Sequence, residues 1–205
     1  MRFIGDVHGE FDAYLALIEG VDCSIQVGDM GLGFGQELPK LGSCHGFIRG
    51  NHDDPEECKK HPNWFSDGLY DSVWKVFFVG GAWSIDWEWR QRYEMSTGRK
   101  IWWSDEECSV RQLQEIIDHY EECKPRIVVT HDCPTIMAHE IKSQHEWDKS
   151  KTRQALDRMF EIHKPELWLF GHHHVGMVRD ISGVRFIALA EAINRGELNY
   201  IDLEV

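Results

Sequence analysis

Short apolar runs alternate with amphipathic stretches along most of the chain. Five of these runs end just before a polar group, and they cover residues 2–4, 24–27, 46–48, 127–129 and 167–170. Apolar runs of this length, bounded by turn-forming residues, predict short buried strands. In sheets that alternate strand and helix, ligands gather beyond the carboxyl ends of the strands. We therefore expect the polar residues that follow these runs to meet in one cleft.

The amphipathic stretches predict three helices, at residues 11–19, 105–123 and 152–163. At the start of the second helix, Ser104 and Glu107 have the spacing of a capping box. The apolar stripe of this helix is more typical of a core than of a binding surface, and it comprises Val110, Leu113, Ile116, Ile117 and Tyr120. Further strands are predicted at 73–79, 177–181, 184–189 and 198–203, with a turn around Arg195-Gly196 before the last one.

A segment rich in tryptophan and basic residues, at about 83–103, breaks this rhythm. It contains Trp83, Trp87, Trp89, Trp102 and Trp103, interleaved with Arg90, Arg92, Arg99 and Lys100. Aromatic rings can stack on a nucleobase and arginines can bind a terminal phosphate, so the segment could select the substrate as a loop or lid. Arg90, Arg92 and Trp87 are the candidate substrate residues under this interpretation. The alternative is a cap packed by its own tryptophans, and the sequence leaves both open.

Length and charge limit the domain organisation and the possible partners. We interpret residues 1–205 as a single domain with the Trp/Arg-rich segment as an insertion. The formal net charge of -13 disfavours a broad nucleic-acid-binding surface, although it still permits a nucleotide in a metal-lined cleft. No apolar stretch approaches the roughly 18 residues of a membrane span, and the chain runs from Met1 directly into its first motif. We therefore expect a cytoplasmic protein with free cysteine thiols.

The polar groups at the ends of the apolar runs form a set of motifs. They are Gly5-Asp6-Val7-His8-Gly9, Gly28-Asp29, Gly50-Asn51-His52-Asp53, His131 and Gly171-His172-His173-His174. Carboxylate, amide and imidazole without a thiolate suit Mn, Fe, Ni, Co or Zn. Each motif alone has an ordinary explanation, such as a helix that opens at Asp54-Pro55 or an exposed His-rich turn. Their joint occurrence, each after an apolar run, favours a metal site. Cys133, close to His131, is either a packed thiol or an oxidation-sensitive one.

In this order the motifs resemble the pattern of the calcineurin-like metallophosphoesterases: Asp-x-His, Gly-Asp, Gly-Asn-His-Asp/Glu, His and Gly-His-x-His. The resemblance covers nearly the whole sequence and implies an α/β fold, a four-layer α/β/β/α sandwich of two mixed β-sheets flanked by helices. It also implies a binuclear centre. Asp6, His8, Asp29 and His174 would hold one ion, and Asp29, Asn51, His131 and His172 the other, with Asp29 as the bridging carboxylate. His173 falls at a variable position and is assigned no role.

The same resemblance implies a chemical mechanism. A metal-bridging hydroxide would attack the phosphorus, His52 would act as the general acid, and Asp53 would orient the His52 imidazole. We expect two divalent ions, with Mn first and Fe, Ni, Co or Zn as alternatives. The expected substrate is a small phosphomonoester or phosphodiester, with a nucleotide among the candidates. Neither a long duplex nucleic acid nor a membrane is expected as a partner.

Other activities of this superfamily are weighed against the same motifs. Ser/Thr protein phosphatases read Gly-Asp-x-Val-Asp-Arg-Gly, whereas this chain reads Gly28-Asp29-Met30-Gly31-Leu32-Gly33-Phe34-Gly35 and lacks their phosphate-binding arginine. The acidic net charge argues against nuclease activity. A non-catalytic metal-bound scaffold is disfavoured because His52 and all the expected ligands are present.

Overall fold

A computed structural model of the protein describes residues 1–141 and 149–204. In this part of the chain the elements follow in the order β1 (Arg2–Ile4), α1 (Phe11–Ile18), β2 (Ser24–Gln26), β3 (His45–Phe47), α2 (Pro55–Lys60), β4 (Tyr70–Asp71), β5 (Val76–Val79), α3 (Trp87–Thr97), α4 (Val110–Cys123), β6 (Ile127–Thr130), α5 (Thr135–Glu140), α6 (Lys151–Ile162), β7 (Leu167–Phe170), β8 (Met177–Ile181), β9 (Val184–Ala188) and β10 (Tyr200–Asp202). None of these helices has the length and apolar character needed to cross a membrane.

The strands form two mixed sheets. The first has the order β10-β1-β2-β3, with β10 antiparallel at one edge and the other three strands parallel. The second has the order β4-β5-β6-β7-β9-β8, in which β4 and β8 are antiparallel and the four inner strands are parallel. Its register is continuous, because Val128 pairs with both Phe77 and Trp168. The parallel strands of each sheet therefore end at one common edge.

Alternating side chains along the strands separate three apolar layers. Phe78 points into the layer between the two sheets, which also contains Phe3 and Ile25. Its neighbour Phe77 points to the opposite face, which packs against α4, α5 and α6. The outer face of the first sheet packs against α1 and α2, with Tyr14 fully buried. Because successive strand residues face opposite sides, one run of apolar residues supplies two layers. The order helix, sheet, sheet, helix confirms the expected α/β/β/α sandwich.

Most of the elements predicted from periodicity are confirmed, with small differences at their ends. α1, α4 and α6 correspond to the three predicted helices, and β8, β9 and β10 lie within the predicted strands. The strand predicted from residue 73 begins only at Val76, because residues 72–75 form a turn. Val110 was expected in the buried stripe of α4 but is 70% exposed, since it opens the helix at its solvent-facing start.

The predicted capping box of α4 was wrong in its position. The box is formed by Ser109 and Gln112, five residues beyond the predicted pair of Ser104 and Glu107. The physical reason is that Glu107 has a partner elsewhere in the fold. Its buried carboxylate accepts the backbone N–H of Thr152 at 2.8 Å, in the first turn of α6. A local spacing rule cannot register such a tertiary contact.

The Trp/Arg-rich insertion contains a helix that periodicity did not predict. α3 buries none of its residues completely, so it lacks the apolar face that produces a periodic signal. Ion pairs one turn apart support it instead, joining Arg90 to Asp86 and Arg92 to Glu88.

The tryptophans of the insertion differ widely in burial. Trp103 is only 2% exposed and packs edge-on against Phe34, whereas Trp89 is 57% exposed. The rings of Trp87 and Trp102 lie 5.8 Å apart. The C-terminal end of the insertion is therefore anchored in the fold while its helix stays on the surface.

Candidate metal centre and active-site cleft

Polar residues follow the carboxyl ends of parallel strands from both sheets. In the first sheet, Asp6, Asp29 and Asn51 come after β1, β2 and β3. In the second sheet, His131 follows β6 and His172 follows β7. A contact joins the two sets directly, because the His172 backbone N–H lies 2.9 and 3.2 Å from the two carboxylate oxygens of Asp6. The five strand ends meet in one cleft, as the sequence predicts.

Four side chains form the first cluster: Asp6, His8, Asp29 and His174. One potential ligand atom from each lies within 4.8 Å of the others. The Nε2 atom of His174 is 3.3 Å from Asp6 Oδ2 and 3.1 Å from His8 Nε2. Both carboxylates are buried, whereas the His174 side chain is 42% exposed. Two carboxylates and two imidazoles that converge in this way could hold a divalent ion that remains open to the cleft.

The second cluster consists of Asp29, Asn51, His131 and His172. The Asn51 Oδ1 atom lies 3.0 Å from both His131 Nε2 and His172 Nδ1. His131 is held from behind, because its Nδ1 donates to the Val27 carbonyl at 3.0 Å. This bond fixes the ring and leaves Nε2 facing the cluster. The donor atoms of carboxylate, amide and imidazole again suit a divalent ion.

Asp29 belongs to both clusters because its two oxygens face opposite sides. The Oδ1 atom lies 3.3 Å from His131 Nε2 and accepts the His52 backbone N–H at 2.7 Å. The Oδ2 atom lies 3.8 Å from His8 Nε2. Each oxygen of the carboxylate therefore faces one of the two clusters.

The backbone of the clusters adopts an unusual conformation at four positions. The φ angles of His8, Asp29, His172 and His174 are 50°, 58°, 63° and 53°. For residues with a side chain, this left-handed region costs about 1 kcal/mol or more each, and such costs concentrate at functional sites. These four residues lie in the loops that follow β1, β2 and β7.

Two motif glycines make room for the cluster carboxylates. A Cβ atom at Gly50 would lie 1.9 Å from Asp29 Oδ1, and one at Gly171 would lie 2.0 Å from Asp6 Oδ1. Any larger residue would therefore displace a carboxylate that belongs to the first cluster. The absence of a side chain at these two positions therefore lets the backbone lie against the acidic side chains.

Burial and mutual proximity determine the charges in the clusters. Burial alone would raise the pKa of Asp29, but His131, His52 and His8 lower that pKa well below its ordinary value. Burial opposes charge on His131, and Asp29 outweighs this effect and raises the pKa of His131 to about 10. In His172, by contrast, burial lowers the pKa well below its usual range. Asp29 thus draws a proton onto His131, and a divalent cation would compete with that proton.

His52 lies between the clusters and the Trp/Arg-rich insertion. Its ring packs edge-on against His8, with the centroids 5.1 Å apart. The Arg90 Nη2 atom lies 3.0 Å from His52 Nε2, which must accept because a guanidinium only donates. Burial, reinforced by the Arg90 charge, lowers the pKa of His52 despite the opposing effect of Asp29. Arg90 is held in turn by Asp86, whose Oδ1 accepts from Nε at 2.7 Å.

The structure does not support the orienting role that the resemblance implies for Asp53. The Asp53 carboxylate accepts four backbone N–H groups at 2.7 to 3.1 Å, from Met30, Gly31, Leu32 and Gly50. Within residues 1–141 and 149–204, its hydrogen bonds include none to the His52 ring. Asp53 instead ties the loop that carries Asp29 to the loop that carries Asn51. It acts on the site through the backbone of these two loops.

A cleft of about 460 Å³ opens over the second cluster and His52. Its polar side includes Arg90, and its apolar side chains are Trp83, Ile85, Ile141 and Val175. The other two candidate substrate residues point elsewhere, since the Arg92 side chain is 78% exposed and Trp87 packs on Trp102. Of the three candidates in the insertion, Arg90 is the one that the structure brings to the cleft.

A larger cavity of about 600 Å³ lies between α2 and α4, above the buried ion pair of Arg49 and Asp67. The lining of this cavity includes no member of either cluster. The larger cavity therefore lacks the converging ligand atoms that make the smaller cleft the candidate site.

Three supporting residues carry no signal in the sequence. Ser84 Oγ accepts from Asn51 Nδ2 at 3.0 Å, and Ser84 is bonded in turn to the Glu106 carboxylate. Glu191 Oε1 lies 3.6 Å from His174 Nδ1. These residues reach the clusters from loops and belong to no motif, so only the fold reveals their positions.

A further group of potential ligand atoms, from Asp132, Cys133 and His173, lies beside the second cluster. Arg153 Nη2 donates to both Asp132 oxygens, at 2.6 and 2.8 Å, which balances the carboxylate charge. Burial raises the pKa of the Cys133 thiol well above its ordinary value. The thiol is therefore protonated and fully buried, which favours the packing role of Cys133 over oxidation sensitivity.

Comparisons with known proteins agree with this geometry. The sequence pattern of the calcineurin-like phosphoesterase family matches residues 2–176. The fold is similar to that of TT1561 of Thermus thermophilus, with a TM-score of 0.54 and 14% identity over 93% of this chain and 89% of that one. It is also similar to the phosphopantetheinyl hydrolase (PptH) of Mycobacterium tuberculosis, with a TM-score of 0.47 and 12% identity over 93% and 89% of the two chains. Among curated proteins, no sequence matches the chain. The family match over most of the chain shows that it belongs to the calcineurin-like phosphoesterases and is a metal-dependent phosphoester hydrolase.

Proposed function

We propose that the protein hydrolyses a small phosphomonoester or phosphodiester, such as a nucleotide, at a centre of two divalent ions. The first cluster would hold one ion and the second cluster the other. The observation that carries the proposal is the position of Asp29, whose two oxygens face the two clusters. Mn is the first candidate metal, with Fe, Ni, Co and Zn as alternatives, because the donor set lacks thiolate.

The bound ions and the protein side chains would have different tasks. Two such ions, when bound, activate water and clamp a phosphoryl group. The side chains must place the substrate and supply a proton to the leaving oxygen. His52 fits the second task, because it lies beside the clusters, faces the cleft and is not a member of either ligand set.

Arg90 connects substrate binding to the His52 proton. Without substrate, its guanidinium donates to His52 Nε2 at 3.0 Å. A phosphate oxygen is a stronger acceptor for a guanidinium than a neutral imidazole, so an entering phosphate group would draw Arg90 away. His52 Nε2 would then be free to take a proton from water and to pass it to the leaving oxygen. Asp86 keeps the Arg90 side chain at the cleft during this exchange.

The cleft supports a small substrate with an apolar or planar group. Its volume of about 460 Å³ is within the usual range for small-molecule sites. Trp83 and Ile85 line one side, where a nucleobase could stack. The net charge of -13 disfavours a long duplex nucleic acid, as the sequence predicts. The cytoplasmic location expected from the sequence stays a prediction.

The first test is hydrolysis of a matched aryl phosphomonoester and phosphodiester by metal-stripped protein reloaded with Mn. His52→Ala is assayed alongside, with His119→Ala as the control because His119 is an exposed histidine on α4 outside the cleft. We expect Mn-dependent turnover on one of the two substrates. His52→Ala should keep both ions and lose about 10²- to 10⁴-fold in turnover on poor leaving groups, since it removes a proton donor.

Two outcomes contradict this proposal. Loss of an ion from His52→Ala in metal analysis would make His52 a ligand and end its role as the proton donor. Absence of turnover on both substrates by protein that holds two ions would favour the non-catalytic scaffold.

Arg90 and Arg92 form a matched pair for testing the substrate contact. Both lie on α3 and each pairs with an acidic residue one turn earlier, but only Arg90 reaches His52. We expect Arg90→Ala to raise KM by about 10- to 100-fold, the usual worth of a charge-assisted hydrogen bond, and Arg92→Ala to change it little. Equal KM values for the two variants would remove Arg90 from the substrate site.

A further inference from the structure

The Asn51 side chain is the one uncharged amide among the expected ligands, and its two ends are chemically different. Its oxygen can bind a cation, whereas its NH₂ group can only donate hydrogen bonds. In the structure, Oδ1 lies 3.0 Å from His131 Nε2 and from His172 Nδ1, and Nδ2 points the opposite way to Ser84. Whether Asn51 contributes a ligand therefore depends on what keeps the amide in this orientation.

Ser84 can fix the orientation of the amide only if its hydroxyl proton points elsewhere. A hydroxyl has one proton to donate and lone pairs that accept. The Glu106 carboxylate accepts the Ser84 backbone N–H at 2.8 Å and the Ser84 hydroxyl at 2.5 Å. An ionised carboxylate only accepts, so it takes the hydroxyl proton. The lone pairs of Ser84 Oγ are then left for the Asn51 NH₂ group.

Glu106 is itself held against the segment that carries Asn51. Arg49 Nη1 donates to the backbone carbonyl of Glu106 at 2.7 Å and to that of Asp105 at 3.0 Å. Arg49 is buried and stands two residues before Asn51. The contacts form a closed ring that runs from Arg49 through Glu106 and Ser84 to Asn51.

The ring also lies at the base of the insertion. Ser84 and Glu106 are close to the two ends of the segment at 83–103, and both are 2 to 3% exposed. Their hydrogen bonds join the two ends of the insertion next to the second cluster.

We propose that Glu106 and Ser84 are positioning residues that orient the Asn51 amide so that its oxygen faces the second cluster. This inference rests on the proposed two-metal function and adds a determinant of the second ion. Glu106 sets the direction of the Ser84 hydroxyl, and Ser84 sets the direction of the Asn51 amide. Ser84 lines the cleft, and the role proposed for it is to hold the Asn51 amide; Glu106 acts only through Ser84.

Replacing Glu106 by glutamine should reverse this chain of hydrogen bonds. Glutamine offers one accepting oxygen where glutamate offers two. If that oxygen takes the Ser84 backbone N–H, its NH₂ group faces Ser84 Oγ as a donor. The Ser84 hydroxyl then loses the carboxylate that took its proton and is free to donate towards Asn51, which favours the flipped amide with its NH₂ group facing the second cluster. Ser84→Ala removes the acceptor altogether and is the milder change for folding.

The test is titration of metal-stripped protein with Co²⁺, followed by calorimetry and by the visible absorption of the bound ion. It is run at about pH 8, above the pKa of about 7 to which burial raises Glu106. We expect Ser84→Ala and Glu106→Gln to weaken one of the two binding steps, the one at the second cluster, by about 10- to 100-fold and to alter its absorption, with the other step unchanged. Because the two residues act in series, the double variant should lose no more than the worse single variant.

Glu107→Gln is the matched control. Glu107 is the next residue and is also buried, but its carboxylate binds Ser150, the N-cap of α6, and Thr152 in its first turn, and makes no hydrogen bond to Ser84. A general loss of stability from removing a buried carboxylate would affect this control equally, whereas the positioning role predicts two intact binding steps.

Three results would overturn the inference. The first is two wild-type binding steps in both Ser84→Ala and Glu106→Gln, and the second is losses that add up in the double variant. The third is the same defect in Glu107→Gln. Uptake of one ion by the wild-type protein would instead remove the two-metal function and, with it, this inference.

Discussion

The two clusters share Asp29 but are supported in different ways. In the first cluster the expected ligands contact one another and the solvent-facing Glu191, and His174 is 42% exposed. In the second cluster the ligands are held from behind by groups that would touch no ion: the Val27 carbonyl on His131 and the Ser84 hydroxyl on Asn51. The first cluster is thus open on its histidine side, where a partly exposed charge contributes, whereas the histidine and amide of the second are held by buried hydrogen bonds. Substitutions should therefore be able to separate the two binding steps.

The largest effect is expected at the one residue that the clusters have in common. Asp29→Asn removes the shared charge and turns an NH₂ group towards one of the clusters. We expect both ions to be lost in metal analysis and turnover to fall by roughly a thousandfold or more, because two-metal charge stabilisation is worth several kcal/mol. Asp118→Asn, at an exposed position on α4, serves as the control. Full two-metal occupancy in Asp29→Asn would show that Asp29 is not a ligand shared by the two ions.

The next effect separates the clusters through a pair of histidines from one loop. His174→Ala removes a member of the first cluster, and His172→Ala removes a member of the second while keeping the backbone N–H that lies against Asp6. We expect each variant to bind one ion, at different steps of a calorimetric titration. Protein that loses both ions in either variant would show that the clusters do not act as separate sites.

The sequence predicted the residues of both clusters because each follows an apolar run directly. Asp6, Asn51 and His172 stand beyond the ends of strands, and the alternation of strand and helix brings such ends to one edge. The layers were predictable for a related reason, since an apolar run such as Val76–Val79 supplies both faces of a sheet.

The supporting residues could not be predicted in this way. Ser84 and Glu106 meet across an exposed helix that has no apolar periodicity. Glu107 has the local spacing of a helix cap, but its carboxylate binds the start of a different helix. Asp53 has the sequence position of a carboxylate that would orient His52, but its oxygens accept four backbone N–H groups instead. In each case a tertiary hydrogen bond decides the role, and local sequence does not encode its partner.

A third prediction concerns the buried ion pair of Arg49 and Asp67, which lies behind the second cluster. Arg49 Nε donates to Asp67 at 2.8 Å, and the rest of its guanidinium holds the backbone of Glu106. Burial would raise the pKa of Asp67, but Arg49 outweighs it and lowers that pKa below the ordinary 3.8. Asp67→Asn leaves Arg49 buried without its partner charge. We expect the free energy of unfolding to fall by about 3 kcal/mol at neutral pH.

The pH dependence of this loss has a defined sign. A lowered carboxyl pKa in the folded state stabilises the protein above the unfolded value and loses that effect as the pH falls through the folded value. The deficit of Asp67→Asn should therefore be complete at neutral pH and shrink below about pH 4. Denaturant unfolding across this range measures it. Asp180→Asn, which breaks an exposed pair with Arg185, is the control, and we expect it to cost less than about 1 kcal/mol. An equal loss of unfolding free energy in the two variants would show that the buried Arg49–Asp67 pair stabilises the fold no more than an exposed pair does.

The smallest effect is expected from Glu191, which acts on the first cluster by charge alone. Its Oε1 lies 3.6 Å from His174 Nδ1 and 3.9 Å from His8 Nε2, beyond good hydrogen-bond distance. Glu191→Gln should weaken binding at the first cluster by about tenfold at low salt. Because the contact is partly exposed, salt should screen it and reduce the difference. The exposed Glu197, further along the same loop, is the control as Glu197→Gln.

The salt dependence provides the sharpest comparison of the two clusters. A loss that arises from an exposed charge should fade as ionic strength rises, whereas a loss that arises from a misdirected buried amide should not. Glu191→Gln and Ser84→Ala, titrated side by side at low and high salt, should therefore respond differently. If the Glu191→Gln defect is as insensitive to salt as the Ser84→Ala defect, then Glu191 acts through geometry, and the contrast between an electrostatic first cluster and a hydrogen-bonded second cluster does not hold.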